Sequence, residues 1–191
     1  MNTPVAIISD IHGNLPALQA VIADIEQQDI QERVCLGDIV GYGAQPSECI
    51  ELLLAKNFHV VIQGNHDAYI AADEDPSNVS DETLQVIQWT RQVLSAEQRD
   101  WLRALPLAWQ AEDYEMVHAS LHHPADWGYV LEPGAAAVHF SHQQKDVCFI
   151  GHSHQPKMFV DGEDRAVDIT SLESVRKGSK QVVNVGSVGQ L

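Results

Sequence analysis

What leaves this chain the fewest ways to fold is a pattern that repeats: a short apolar run that stops at a polar cluster. Val60-Val61-Ile62 is apolar and β-branched, and it gives way at once to Gln63-Gly64-Asn65-His66-Asp67. Such a run reads as a buried strand bounded by a turn. Val5 to Ile8 ends the same way in Ser9-Asp10-Ile11-His12-Gly13, and Arg33 to Leu36 ends in Gly37-Asp38. Between them lie helical signals. Asn14 suits an N-cap with Pro16 in the first turn, and Leu18, Val21, Ile22 and Ile25 form one apolar stripe. Pro46 to Lys56 reads as a second helix. Three strands alternating with two helices within about 65 residues predict a βαβαβ unit, parallel and right-handed.

The remainder is rich in strands. Ala71 to Ser80 reads as an acidic surface loop, Ser80 as the cap of a helix through Leu94, and Ser95 as the cap of another ending before Pro106. Tyr114 to Val117 alternates as a strand and delivers His118-Ala119-Ser120. Gly134 to Gln144 is expected to be helical. Val147 to Ile150 is expected as a strand running into Gly151-His152-Ser153-His154, with further strands over Met158–Val160, Ala166–Ile169 and Gln181–Val185. Trp89, Trp101 and Trp109 are expected to serve packing. There is no repeat, linker or low-complexity segment, so a single domain over residues 1–191 is the expectation.

Composition narrows the function. A formal net charge of -16 argues against a sequence-independent nucleic-acid binder, which needs a basic face. It leaves room for a phosphate-bearing substrate, because bound dications make a pocket locally positive. Cys35, Cys49 and Cys148 are scattered, and no C-x-x-C pair occurs, so reduced buried thiols are expected. The N-terminal residues lack a charged leader, and no apolar run approaches about 18 residues, so a cytoplasmic protein without membrane association is expected.

Five expected strands end in residues that ligate metals: Asp10 and His12; Asp38; Asn65 and His66; His118; His152 and His154. A lone D-x-H or H-x-H is weak, since alternation along a strand puts residues i and i+2 on one side by chance as well. Five such endings in one chain are not a chance pattern. Carboxylates and imidazoles beside apolar strands are costly unless partnered, and a metal cluster partners all of them together.

The ordered motifs Asp10-Ile11-His12, Gly37-Asp38, Gly64-Asn65-His66-Asp67, His118 and Gly151-His152-Ser153-His154 resemble those of the calcineurin-like metallophosphoesterase superfamily. The likeness is greatest to its small prokaryotic phosphodiesterase branch. That resemblance implies an α/β fold, a four-layer αββα sandwich with two mixed β-sheets. It implies two divalent metal ions (Mn, Fe, Ni or Zn), one held by Asp10, His12 and His154, the other by Asn65, His118 and His152, with Asp38 bridging. It implies hydrolysis of a small phosphate ester, a phosphodiester foremost, by a hydroxide bridging the metals. His66 would then assist the leaving group and Asp67 would orient it. Relatives of this kind commonly continue into another strand where this chain stops; either the chain is a minimal member or a sheet edge is left open, and an open edge could favour pairing into a homo-oligomer.

Other residues receive plainer readings. Tyr42, in Gly41-Tyr42-Gly43, and His122 are candidate substrate contacts. The glycine run is no phosphate loop, because the G-K-[ST] ending is absent. His59 reads as structural, and His139 and His142 as one exposed helix face. Two rival functions remain: a metal-binding scaffold of the same fold acting through protein partners, and a helical HD-type phosphohydrolase, which requires His66-Asp67 on a helix.

Overall fold

The computed structural model describes residues 4–167, 169 and 178–190. The chain opens with three strands, β1 (Val5–Ile8), β2 (Glu32–Cys35) and β3 (Val60–Val61). They lie in sequence order and pair in parallel, Val5 opposite Glu32 and Val34 opposite Val60. The connections are helices α1 (Leu15–Gln27) and α2 (Pro46–Ala55). The Asn14 side chain accepts a hydrogen bond from the Ala17 amide at 3.2 Å and so starts α1. Helix α3 (Asn65–Ala71) follows β3 directly, then α4 (Asp81–Val93) and α5 (Ala96–Arg103). Ser80 and Ser95 cap the last two by accepting from Thr83 and Gln98 amides, each at 3.2 Å.

A second sheet is built from β4 (Ala108–Gln110), β5 (Tyr114–Val117), β6 (Val147–Ile150), β7 (Lys157–Val160) and β8 (Gln181–Asn184), with α6 (Pro133–His142) between β5 and β6. Its spatial order is β4-β5-β6-β8-β7. The pairs β5·β6 and β6·β8 are parallel, while β4·β5 and β7·β8 are antiparallel. The mixed pairing expected of both sheets belongs to this one. The first is parallel throughout its described strands, because helices make both of its connections.

Alternation along the strands assigns each face. Cys35 joins the apolar cluster of Leu18, Ile22, Ile50 and Leu53 from the helices, whereas its neighbour Val34 clusters with Val60 and with Met116 of the second sheet. Val117, Cys148 and Val182 turn the other way, into a cluster with Phe140 of α6. The layers therefore run helix, sheet, sheet, helix.

Several local expectations are corrected. Trp89 and Trp109 are 41% and 44% exposed and do not pack in the core. His139 is buried rather than on an open helix face. Strand β4 is short and lies at a sheet edge with Trp109 and Gln110 exposed, so no alternating pattern announces it. Of the strand expected over Ala166–Ile169, Val167 forms an isolated bridge to Met158, and Asp168 lies outside the described residues. The three cysteines are buried and free. No helix among the described residues is long and apolar enough to cross a membrane.

Candidate metal centre

Parallel strands deliver their C-terminal ends to one edge, and that is where the candidate ligands gather. They sit beyond the strands, not on them. Asp10, His12, Asp38, His152 and His154 occupy the left-handed region, with φ of 54°, 51°, 51°, 65° and 56°. The i, i+2 pairs therefore converge through left-handed turns and not through strand alternation. Each such residue costs about 1–2 kcal/mol. Hydrogen bonds between the loops hold them there: Asp10 and His12 amides donate to the Gly37 and Asp38 carbonyls at 3.0 and 2.9 Å. The Gly151 amide donates to the His118 carbonyl at 2.9 Å, and the Gly189 amide to that of Asp10 at 2.9 Å. Two glycines let these loops pass closely. A Cβ on Gly64 would lie 2.1 Å from Asp38 Oδ1, and one on Gly151 would lie 2.4 Å from Asp10 Oδ2.

Each carboxylate is anchored by one oxygen and presents the other. Asp38 Oδ1 accepts the His66 amide at 2.8 Å, leaving Oδ2 at 3.3 Å from His118 Nε2 and 3.7 Å from His12 Nε2. Asp10 Oδ2 accepts the His152 amide at 3.1 Å, leaving Oδ1 at 3.3 Å from His154 Nε2 and 3.8 Å from His12 Nε2. The imidazoles are fixed from behind. His12 Nδ1 donates to the Val40 carbonyl at 3.3 Å and His118 Nδ1 to that of Leu36 at 2.7 Å, so both Nε2 atoms face inward. His118 Nε2 lies 3.1 Å from Asn65 Oδ1.

These residues fit cations. Asp10, His12 and His154 offer ligand atoms within 4.8 Å of one another, and so do Asp38, His118 and His152. His12, Asp38 and His66 form a third such group, so His66 stands at the centre rather than beside it. Asp10 Oδ1 and His152 Nε2 are buried without a hydrogen-bond partner. His12 Nε2 and His154 Nε2 stand 3.1 Å apart and share at most one proton. Buried groups of this kind are costly alone, and an O- and N-rich donor set without thiolate suits divalent ions such as Mn²⁺, Fe²⁺, Ni²⁺ or Zn²⁺. Burial pushes His12 and His152 down to about 4, which keeps each imidazole neutral with one nitrogen free to ligate. Burial also opposes charge on His118, but the Asp38 carboxylate overrides it and carries this imidazole up to about 9. Burial would raise Asp38, yet the His118 and His66 imidazoles hold it well below the usual carboxylate range.

Asp67 does not orient the His66 ring, contrary to expectation. Its Oδ1 accepts the Ile39 and Val40 amides at 2.9 and 3.3 Å, and its Oδ2 accepts the Gly64 amide at 3.0 Å. Asp67 is a clamp between the start of α3 and the loop carrying Asp38, while His66 Nδ1 is buried without a partner. The His66-Asp67 pair lies in the first turn of α3, where a loop was expected. The HD-type reading gains nothing from this, because the Asp67 oxygens are occupied by backbone amides. His122 is also corrected. It is exposed, and its Nδ1 lies 2.9 Å from His142 Nε2 on the surface.

A cleft of about 730 Å³ opens over Asn65, His66 and His152 and is lined by Tyr42. Tyr69, Trp127 and Tyr129 line it too, and the sequence reading missed them. The available signals were modest: Tyr69 lies one helical turn after His66, and Trp127-Gly128-Tyr129 is an aromatic pair in a loop that follows a candidate ligand.

Residues 4–191 match the calcineurin-like phosphoesterase superfamily domain. An uncharacterized protein of Methanocaldococcus jannaschii is 37% identical over 191 residues, which is 97% of this chain and 76% of the relative. A solved metallophosphoesterase from Sphaerobacter thermophilus is similar at a TM-score of 0.83 and 33% identity, covering 97% of this chain and 76% of that one. A hypothetical protein from Pyrococcus horikoshii OT3 is similar at a TM-score of 0.76 and 26% identity, covering 97% and 77%.

Proposed function

We propose, on the premise that the chain belongs to the calcineurin-like phosphoesterase superfamily and is a metal-dependent phosphoesterase, that it hydrolyses small phosphodiesters at a two-metal centre. The observation that carries this reading is the position of Asp38. Its free oxygen faces His12, which belongs to one group of candidate ligands, and His118, which belongs to the other. Asp10, His12 and His154 would hold one ion and Asn65, His118 and His152 the second, with Asp38 contributing to both. Bound dications would supply Lewis acidity at the phosphoryl oxygens and lower the pKa of a water for attack on phosphorus.

The chain's own residues do the positioning and the proton work. The carbonyls of Val40 and Leu36 orient the rings of His12 and His118 with Nε2 inward. The His66 amide fixes Asp38, while the His66 side chain lines the cleft with its Nδ1 buried and unbonded. Its place at the centre beside Asp38 lets a protonated His66 imidazole hand its proton to a departing alkoxide or phenoxide oxygen, while burial opposes that protonation. The role of His66 is thus general acid, positioned by its own backbone. A single domain is part of the proposal, supported by the apolar layer that the two sheets bury between them.

The test is metal analysis of the purified protein, followed by hydrolysis of bis-p-nitrophenyl phosphate with added Mn²⁺. His66→Ala should retain bound metal and lose turnover by about 10²- to 10⁴-fold, the usual contribution of general acid catalysis. No turnover by protein shown to be loaded would overturn the reading and favour a metal-binding scaffold. Unchanged turnover in the variant would remove His66 from the mechanism.

A further inference from the structure

The cleft over the centre is walled by aromatic rings from separate parts of the chain. Tyr42 follows β2, Tyr69 lies on α3, and Trp127 and Tyr129 come from the loop between β5 and α6. They are placed to be met by something. Tyr42 is 43% and Tyr129 57% exposed, although large rings of this kind gain most from burial. Tyr129 stacks on the candidate ligand His152 with centroids 4.0 Å apart and planes 21° apart, and Tyr42 lies 4.5 Å from the His66 ring. Trp127 is held in a left-handed backbone at φ 54°, which an unstrained loop would avoid.

Charge supplies the second half of the argument. Among the described residues lining the cleft there is no Lys and no Arg, and Asp126 is present. Further phosphates on a substrate are ordinarily met by such cations, Arg above all. Here they would meet none, on a chain whose net charge is -16.

We propose that this cleft is a subsite for an uncharged aromatic group of nucleobase size attached to the reacting phosphoryl, so that the substrate is a phosphodiester whose only charge faces the metal centre. This rests on the reading of that centre as a phosphodiesterase site. The rings stack on the aromatic group, and the scissile phosphate is thereby held over Asn65, His66 and His152.

The test is calorimetric binding to Mn²⁺-loaded protein, which is read whether or not turnover follows. Thymidine 5′-(methyl phosphate) is compared with dimethyl phosphate, the same diester without a base. The nucleoside diester should bind at least about tenfold tighter, since losing one base–aromatic stack costs roughly five- to 150-fold. Tyr129→Ala and Trp127→Ala, made separately, should each reduce that ratio about fivefold or more, and Tyr129→Phe, which keeps the ring and guards against a folding defect, should preserve it. A further 3′-phosphate on the nucleoside should weaken binding. Equal binding of the two diesters, an unchanged ratio in both alanine variants, or tighter binding of the doubly phosphorylated ligand would overturn the subsite. Loss of all bis-p-nitrophenyl phosphate turnover with the binding ratio intact would overturn the phosphodiesterase reading alone and leave the aromatic subsite standing.

Discussion

Substituting Asp67 separates holding the site together from performing its chemistry. The carboxylate is buried and accepts three backbone amides, those of Ile39, Val40 and Gly64. Asp67→Asn keeps the shape but supplies only one acceptor oxygen. The least disruptive arrangement leaves that oxygen on Ile39 and Val40 and turns the new NH₂ toward the Gly64 amide, donor against donor. An orphaned buried donor costs about 1–3 kcal/mol, and the two remaining bonds weaken from charged to neutral strength, roughly another 1–2 kcal/mol together. The expected loss is therefore about 2–5 kcal/mol, a large share of a net stability of about 5–15 kcal/mol. Urea unfolding reads it at pH 8, where burial and Asp38, which push this carboxyl up to about 7, make its charge destabilising; the neutral Asn relieves that repulsion and brings the expected loss into the lower half of the range. A loss of about 3 kcal/mol shifts the midpoint by roughly 1–3 M. Metal affinity should fall with stability, because Ile39 and Val40 immediately follow Asp38. A variant within about 0.5 kcal/mol of the native protein whose turnover has nevertheless collapsed would refute this reasoning. Asp67 would then act on the His66 ring directly.

Gly64→Ala should abolish metal binding while leaving secondary structure in place, because its Cβ would fall 2.1 Å from Asp38 Oδ1; elemental analysis and circular dichroism read the two effects. His139 is buried, and burial followed by the neighbouring His142 pushes it down to about 4. Its folded pKa lies below the ordinary 6.5, so its stabilising contribution is complete above pH 6.5 and is lost as pH falls toward 4, by up to about 3 kcal/mol. His139→Asn, whose oxygen can take the Leu121 amide that Nδ1 now accepts at 3.3 Å, should remove that loss, so that its unfolding free energy stays flat over this range while that of the native protein falls. Mn²⁺ at about 100 times its dissociation constant should stabilise the protein by about 2.7 kcal/mol, and EDTA should reverse the gain. For a chain of this size that is roughly 5–10 °C in Tm, and an unmoved scanning-calorimetry transition would count against a site formed in the folded state.

The parts legible in the sequence were those written in local chemistry. The caps at Asn14, Ser80 and Ser95 announced three helices because a side-chain oxygen must take an otherwise orphaned amide. Helix α3 was not legible as a helix, because Asn65, His66 and Asp67 are weak helix formers. Its start is stabilised by the Asp67 oxygen on the Gly64 amide, a bond that also reads as a turn. The gathering of candidate ligands followed from topology: parallel β1, β2 and β3, and parallel β5 and β6, bring the loops after their C-terminal ends into one place. Proximity in sequence misled at His122, four residues beyond His118. The loop carries it outward to His142, while Trp127 and Tyr129 come back to the cleft. No spacing rule shows which residue of a long loop returns.

The left-handed residues explain why so much hydrogen bonding is devoted to this edge of the molecule. Five non-glycine residues at about 1–2 kcal/mol each amount to about 5–10 kcal/mol, comparable to the whole net stability of a domain. Glycine at these positions would relieve the backbone, but glycine carries no ligand. The chain instead uses glycine where backbones must cross, at Gly64 and Gly151, and keeps carboxylate and imidazole at the strained positions. The strain is distributed over amide bonds that continue the parallel pairing past the strand ends, from Asp10 to Gly37, His12 to Asp38 and Gly151 to His118. Those bonds form together with the sheets, so folding itself sets the ligand positions before any ion arrives. An ion entering such a centre meets donors whose conformational entropy has already been lost, and its binding free energy goes into affinity rather than into ordering loops. The same logic makes the centre unforgiving: loosening the Asp67 clamp releases the loop that carries Asp38, whose free oxygen faces both His12 and His118.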